Sequence, residues 1–514
     1  MKKKQPNFTF LFLVTSIIFF GFFLNVGIMK TLLNISQRFI FYGNTHIMLI
    51  LILTLIFLPI AAIIIMERGD PGRTSAWLLI LFVLPVIGWL LYLTLGSHVI
   101  KKRKIRLKRR GQFSWDDSSS ETLQVAFSDS IQKRMSLLLL NSCTSQPSFT
   151  NQIEILSQGE SIFQAMLQAI DQAQHHIHLE TYIFRDDQLG NIFFQKLVEK
   201  ASAGIKVRII IDGIGSFALK SSRIKTLRAQ GLDIRIFFPV RFTLWHNKIN
   251  YRNHRKILVI DGETSFIGGA NIGDDYLGND PAVGNWRDTH LLIRGPGSVS
   301  LQRIFLMDWN TLNKVKLDPL DIRYFPNNPG PGQMALQIAA SGPDTQWQTV
   351  MQAYYYAIAQ ASTSIQLTSP YFIPNESILT ALKTAALAGI NIQLLLPQNP
   401  DHKLVFWAAM TYLNELIEAG IKIYLYQDGF IHSKVVTVDD TLAIVGTANL
   451  DQRSFALNFE VNAIIYEYAT ILQLKQDFAH DLQKAHLLNI DDFRRQTKTH
   501  RIVEATCRLI SPIL

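Results

Sequence analysis

A histidine and a lysine two residues apart, followed by an aspartate, occur twice in this chain at identical offsets. His254, Lys256 and Asp261 lie in RNHRKILVIDGETSFIGGAN (252–271), and His432, Lys434 and Asp439 in FIHSKVVTVDDTLAIVGTANLD (430–451). In each copy six residues separate the aspartate from a glycine that opens G-x-x-N, ending on Asn271 and Asn449. Both stretches are β-branched enough to read as buried strands, in which residues i and i+2 leave the same face. Imidazole and ammonium therefore point together, while Asp261 and Asp439 fall on the other face or in the turn and are expected to bond backbone there. Two imidazoles and two ammoniums in one site suit attack on a phosphodiester, because fixed cations and amide donors stabilise charge moving to the equatorial oxygens. Lys256 and Lys434 fit the cationic role, with Asn271 and Asn449 as neutral donors to the phosphate. One histidine can attack phosphorus while the other, protonated, serves the leaving alcohol. No metal or other cofactor is required. An imidazole working this way needs its second nitrogen held, usually by a carboxylate. Glu460 in NFEVNAIIY and Asp288 in NWRDTHLLIRG follow the two motifs in matching strands and are the candidate orienting acids. The six motif residues His254, Lys256, Asp261, His432, Lys434 and Asp439 form the candidate catalytic set, and the near-equivalence of the copies leaves open which histidine is the nucleophile.

The elements that position these residues follow from the wider pattern. At 514 residues the chain should hold more than one domain. A 48% hydrophobic content and a mean hydropathy of +0.15 point to a membrane, since the excess sits in the first hundred residues. Three uncharged apolar stretches, 8–29, 47–66 and 77–96, are each about long enough to cross a ~30 Å hydrocarbon core as a helix. The first is too long and lacks the cleavage site of a signal peptide. The second and third, joined by ERGDPGRTSA, read as a helical hairpin in which Pro59, Pro85 and Gly88 are tolerated. KKRKIRLKRR, with eight basic residues among positions 101–110, reads as a topogenic signal that holds this end inside and also attracts anionic lipid. Lys2 to Lys4 prefer the same side, so either 8–29 is re-entrant or the larger cluster wins; both leave 101–514 in the cytoplasm. Residues 101–149 read as a basic juxtamembrane segment and polar linker. From about Thr150 strands alternate with helical stretches, an α/β pattern. The order runs through 150–325 and repeats through 334–514, with the Pro/Gly-rich 326–333 as connector.

Two copies of H-x-K-x4-D-x6-G-x-x-N in one α/β chain resemble the phospholipase D superfamily. Its bacterial cardiolipin synthase branch is resembled in AWLLILFVLPVIGWLLYLTLG, ETYIF, NWRDTH, SGPD, SPYFIPNE and NLDQRSFALNFEVN, over roughly residues 60–510. The resemblance implies two homologous α/β/α sandwich halves facing each other across a pseudo-two-fold axis, preceded by transmembrane helices. It also implies phosphatidyl transfer between two phosphatidylglycerols, through a phosphohistidine, giving cardiolipin and glycerol at the bacterial inner membrane. A phospholipase D or another phosphatidyltransferase is the first alternative, and a membrane-tethered phosphodiesterase or nuclease the second. A net charge of +10 beside an anchor favours anionic phospholipid as partner. No stretch interleaves aromatic with basic residues as a single-strand nucleic-acid groove would, so no nucleic acid is expected.

Weaker signals resolve otherwise. Gly213, Gly215 and Ala218 outline G-x-G-x-x-A after a strand, but Asp233 opens the next strand instead of closing it, so a dinucleotide cofactor is not expected. Of His175, His176 and His178 only the last two share a strand face, with Glu180 as the sole nearby carboxylate; solvated strand-entry histidines are expected rather than a metal site. Tyr371, Arg453 and Ser454 are candidates for the pocket wall or for packing. Cys143 and Cys507 are too few for a disulfide framework.

Overall fold

The computed structural model describes residues 57–66, 71–92, 127–239, 250–278, 284–313, 315–318, 321–326, 329–401, 403–491, 504 and 506–508. The chain divides into two compact units, 1–100 and 101–514. The expected span at 8–29, the start of 47–66, the end of 77–96, the basic run and the polar stretch 111–124 lie outside the described residues.

In the first unit a helix over 57–66 is followed by helices Pro71–Val83 and Pro85–Leu91. Leu84, at φ −131° and ψ 71°, separates the last two. The cause is Pro85, which lacks an N–H and disfavours helical dihedrals in the residue before it. Ile60, Ile64, Leu81 and Tyr92 are buried together, while Ile65, Leu79, Phe82, Val83 and Ile87 face outward. Among the described residues no helix is long and apolar enough to cross a membrane.

In the second unit the segment read as a linker holds a helix, Ser130–Cys143, whose Met135 and Leu139 are buried in a core they share with residues 339–507. The first half then contributes strands β1 Ser148–Gln158, β2 His176–Thr181, β3 Lys206–Asp212, β4 Asp233–Phe237, β5 Ile257–Ile260, β6 Thr264–Gly268 and β7 Trp286–Arg294. The second contributes β8 Met334–Ser341, β9 Ser364–Thr368, β10 Phe372–Ile373, β11 Asn391–Pro397, β12 Lys422–Tyr426, β13 Phe430–Ile431, β14 Val435–Val438, β15 Leu442–Gly446, β16 Leu450–Asp451, β17 Glu460–Ile465 and β18 Ala485–Leu487. The large sheet runs β18-β12-β11-β9-β14-β15-β17-β8-β1-β7-β6-β5-β2-β3-β4. Apart from the edge strand β18, this order is a palindrome about the β8–β1 junction, so the sheet carries the pseudo-two-fold relation of two α/β halves. The outer strands β2-β3-β4 and β9-β11-β12 are parallel, joined by helical crossovers, and the inner ones antiparallel. Strands such as β5 (ILVI) and β17 (EVNAII) are buried at every position. β5 therefore reads as a continuous apolar run instead of an alternating one, while β17 carries Glu460 and Asn462 among its apolar residues. Each half has its own core, and a third cluster joins Ile257, Val259, Ile267, Leu291 and Ile293 to Ile338, Ala443, Val445, Val461 and Ala463. The halves are thus welded by apolar burial of about 25 cal/mol per Å².

Asp261 and Asp439 occupy matching three-residue hairpins, β5–β6 and β14–β15, at φ 55° and 50°. Aspartate tolerates this left-handed region because its short side chain can bond locally. Here it bonds further afield: Asp261 accepts from the backbone N–H groups of Gln174, His175 and His176, each at 2.8 Å. Asp439 likewise accepts from the N–H groups of Ser362, Thr363 and Ser364 and from the Thr363 hydroxyl. Each carboxylate pins the entry of the neighbouring outer strand, β2 or β9, to the hairpin that follows the His-Lys pair. Asp261→Ala is expected to lower stability by roughly 2–4 kcal/mol, since it strands three backbone donors. Chemical denaturation of the variant in detergent measures this, and an unchanged midpoint would refute the pinning role.

Candidate active site

Both His-Lys pairs lie just outside the strands expected to hold them, in extended segments that enter β5 and β14. The reason is that their backbone pairs with the opposite half. Phe430 N donates to Asn285 O (2.8 Å) and His432 N to Arg287 O (2.7 Å), so β13 lies beside β7. In the mirror arrangement Phe459 N donates to Arg252 O (2.9 Å) and His254 N to Phe459 O (3.0 Å). Arg255 reinforces this crossing. Its guanidinium, fully buried, pairs with Asp308, donates to the carbonyls of Glu460 (3.3 Å) and Ser341 (3.4 Å), and lies over the Phe459 ring.

As a result each histidine meets a carboxylate of the other half. His254 Nδ1 is 3.0 Å from both Glu460 oxygens, and His432 Nδ1 is 2.8 Å from Asp288 Oδ2. The motif glycines explain how the acids fit. A Cβ on Gly269 would stand 2.1 Å from Asp288 Oδ1, so this position must be glycine. At the matching position of the second half Thr447 instead donates its hydroxyl to Glu460 Oε2 at 2.5 Å. Asp288 also accepts from Thr289 N, and Glu460 from the Asn458 amide. Burial pushes Asp288 up, but His432 and Lys434 outweigh it and hold the acid below the usual carboxylate range. An ionised carboxylate only accepts, so Nδ1 of each imidazole carries a proton and Nε2 is left with its lone pair. Burial lowers both histidines, His432 to about 3 and His254 in the same direction, with the facing acids opposing.

His254, His432, Asn271 and Asn449 line one pocket of about 310 Å³. Lys256 and Lys434 are buried behind it, each Nζ donating to the carbonyl of its own histidine. Burial brings Lys256 down to about 7 and Lys434 to about 8, and each feels both Asp288 and Glu460. The asparagines are less free than expected of phosphate donors: Asn271 Nδ2 donates to Tyr276 Oη (2.7 Å) and Asn449 Nδ2 to Asp451 Oδ2 (3.1 Å). Of the six residues in the candidate catalytic set, Asp261 and Asp439 stand in their hairpins and are not among those that line the pocket. Tyr371 and Arg453 line the pocket, whereas Ser454 is fully buried and accepts from Asn449 N. The histidine cluster is corrected too: His176 and His178 are not solvated but fully buried, sharing Gln302 of helix Pro296–Leu312, with His178 stacked on Phe305. Gly213 and Gly215 let their loop pack against Phe238 and Tyr182, where a Cβ would come within 2.5 and 2.3 Å of a carbonyl oxygen.

Several wall residues carried no separate signal. Tyr182 meets the His254 ring edge-on at 5.2 Å, while Trp286, Tyr276 and Phe430 surround His432 at 5.1, 6.3 and 6.0 Å. Arg252, Asp401, Asp451 and Asn458 also line the pocket. Trp286, Asp451 and Asn458 sit in NWRDTH and NLDQRSFALNFEVN, where proximity to the acids was the available clue.

Comparison with known proteins agrees with this geometry. Residues 166–288 and 354–482 match the family described as cardiolipin synthase, PLD-like domain, and 49–97 match the phospholipase D-nuclease N-terminal family. Cardiolipin synthase 2 of Bacillus anthracis is 42% identical over 88% of this chain and 89% of its own length. Cardiolipin synthase of Geobacillus kaustophilus is 43% identical over 88% and 91%. Among solved structures, the phosphatidylserine synthase of Haemophilus influenzae shares the fold, with a TM-score of 0.56 at 15% identity over 75% of this chain and all of the other. With two such domains meeting in one pocket and relatives this similar along most of its length, the chain belongs to the bacterial cardiolipin synthase family of the phospholipase D superfamily.

Proposed function

We propose that the pocket transfers a phosphatidyl group from one phosphatidylglycerol to another, releasing glycerol and forming cardiolipin, with His254, His432, Lys256 and Lys434 as its catalytic groups. The observation that carries this reading is the exchange of carboxylates: His254 on Glu460 and His432 on Asp288, both through Nδ1. With Nδ1 held, the Nε2 lone pair of one histidine attacks phosphorus. The phosphorus–oxygen bond to glycerol breaks as the other histidine, in its protonated form, gives its proton to the leaving oxygen. The phosphodiester anion itself raises the proton affinity of that second imidazole. The now neutral histidine then takes the proton of a hydroxyl on the second phosphatidylglycerol. The oxygen of that hydroxyl attacks phosphorus, the phosphorus–nitrogen bond breaks, and both histidines return to their starting states. Lys256 and Lys434, with Arg252 and Arg453 at the wall, offset the anionic charge.

The apolar stretches 47–66 and 77–96, the match of 49–97 to an N-terminal family and the basic run 101–110 support attachment to the inner membrane with the two halves in the cytoplasm. Held there, the intermediate meets a second headgroup arriving laterally, and a shielded pocket limits its capture by water. Protein in phosphatidylglycerol vesicles is therefore expected to give cardiolipin and glycerol by mass spectrometry. Phosphatidic acid as the main product would make the chain a phospholipase D, and cleavage of a labelled oligonucleotide would favour a nuclease.

His254→Ala and His432→Ala should each lower turnover by at least about 10³-fold while the chain stays folded, because acid and nucleophile act as a unit. Substantial activity in either folded variant would mean that the halves work separately. The lysine values give a signed pH dependence. An ammonium is present below its pKa, so with Lys256 at about 7 and Lys434 at about 8 the free pocket loses positive charge as pH rises through that window. The ratio kcat/KM for phosphatidylglycerol, measured from pH 6 to 9 at constant ionic strength, should fall above about pH 7–8; a profile that rises there would contradict the cationic role.

A further inference from the structure

A phosphodiester brings acceptor oxygens and needs donors, yet this pocket is walled on one side by groups that need a donor. Asn449 and Asn458 both line it and are 5% and 8% exposed. Their orientations follow from chemistry: Asn449 Nδ2 faces Asp451 Oδ2 at 3.1 Å and Asn458 Nδ2 faces Glu460 Oε1 at 3.2 Å. A carboxylate only accepts, so each amide must present its nitrogen there and turn its oxygen away. Asp451 is itself locked, capping helix Gln452–Ala456 through Ser454 N at 2.7 Å. Both Oδ1 atoms are buried and have no hydrogen-bond partner among the described residues. An unmatched buried acceptor is costly and calls for a reason. The first half contrasts with this. Asn271, at the position matching Asn449, has its Oδ1 taken by Ile183 N at 3.1 Å and its nitrogen on Tyr276.

We infer that Asn449 and Asn458 form a hydroxyl-reading subsite in which one or the other amide oxygen accepts the single proton of the secondary hydroxyl of the glycerol headgroup. The inference rests on the reading that phosphatidylglycerol is the substrate and names which part of it this wall recognises. The secondary hydroxyl is the one free hydroxyl on the central glycerol common to phosphatidylglycerol and cardiolipin, so one subsite serves both directions of the reaction. A neutral donor fits better than an ammonium, because Asp401 and Asp451 in the same wall are matched in number by Arg252 and Arg453, and Lys256 and Lys434 lie behind it. Asp451 and Glu460 act here as positioning residues that fix the amides. The near-symmetric pair of histidines thus gains one side specialised for the alcohol.

The test compares full-length protein in vesicles of phosphatidylglycerol with the same protein in vesicles of phosphatidyl-1,3-propanediol, which keeps the terminal nucleophilic hydroxyl and lacks the secondary one. Wild type should use the analogue roughly 10- to 100-fold less well, the usual effect of leaving buried acceptors unmatched. Asn458→Leu and Asn449→Leu should slow phosphatidylglycerol turnover and bring the ratio of the two substrates toward one. A purely structural role would slow both substrates equally and leave the ratio at its wild-type value, which would overturn the inference. So would a wild type indifferent to the missing hydroxyl, or one that turns over phosphatidylethanolamine vesicles as fast. Absence of any phosphatidylglycerol turnover would instead overturn the parent reading of the substrate.

Discussion

Each imidazole in this pocket is held by an acid that belongs to the other half of the chain, and most of the remaining architecture follows from that exchange. Burying an ionised carboxylate costs several kcal/mol unless it is paired and hydrogen-bonded. Asp288 and Glu460 are fully buried, and each adds to the donors of its own half the imidazole of the other. The backbone crossings of β13 onto β7 and of Asn253 onto Phe459 bring the partners together, and the apolar cluster between the halves holds the crossing shut. Arg255 closes the arrangement from behind by gripping the carbonyl of Glu460, the residue whose side chain holds His254.

This crossing marks the boundary of what the sequence discloses. The repeat, the α/β order and the identities of the two acids are legible because spacing and strand pattern are local properties. That β14 would begin three residues after His432 instead of including it is not legible, since the competing pairing partner is Arg287, far away in the chain. The same holds for His176 and His178. A polar residue in a strand reads as solvated until Gln302, over a hundred residues on, arrives on a helix to satisfy both rings. Gly269 and Thr447 show the converse. Their difference is visible in GGAN against GTAN, but its meaning, room for an aspartate against a hydroxyl for a glutamate, needs the geometry.

Duplication gives a scaffold of near-perfect symmetry, and the pocket departs from it through a handful of side chains. The first motif is flanked by Arg252, Asn253 and Arg255, the second by Phe430, Ile431 and Ser433. His432 consequently sits among Trp286, Tyr276 and Phe430, while His254 has Tyr182 and a polar rim. These changes leave the palindromic sheet untouched, because they fall on segments that cross between halves and on loops at the strand ends, where backbone pairing is indifferent to the side chain.

That separation suits a reaction whose two steps use the same bonds in opposite order. Attack and release at phosphorus are chemically mirror images, so paired histidines on a symmetric frame can serve both. Donor and acceptor differ only in the alcohol, and discrimination therefore belongs to the wall and not to the imidazoles. The buried lysines add a dependence on occupancy: burial depresses both, and an arriving phosphodiester favours their charged form again. Full positive charge then accompanies the substrate, whereas in the free pocket burial works against the attraction of Asp288 and Glu460 for the same ammoniums.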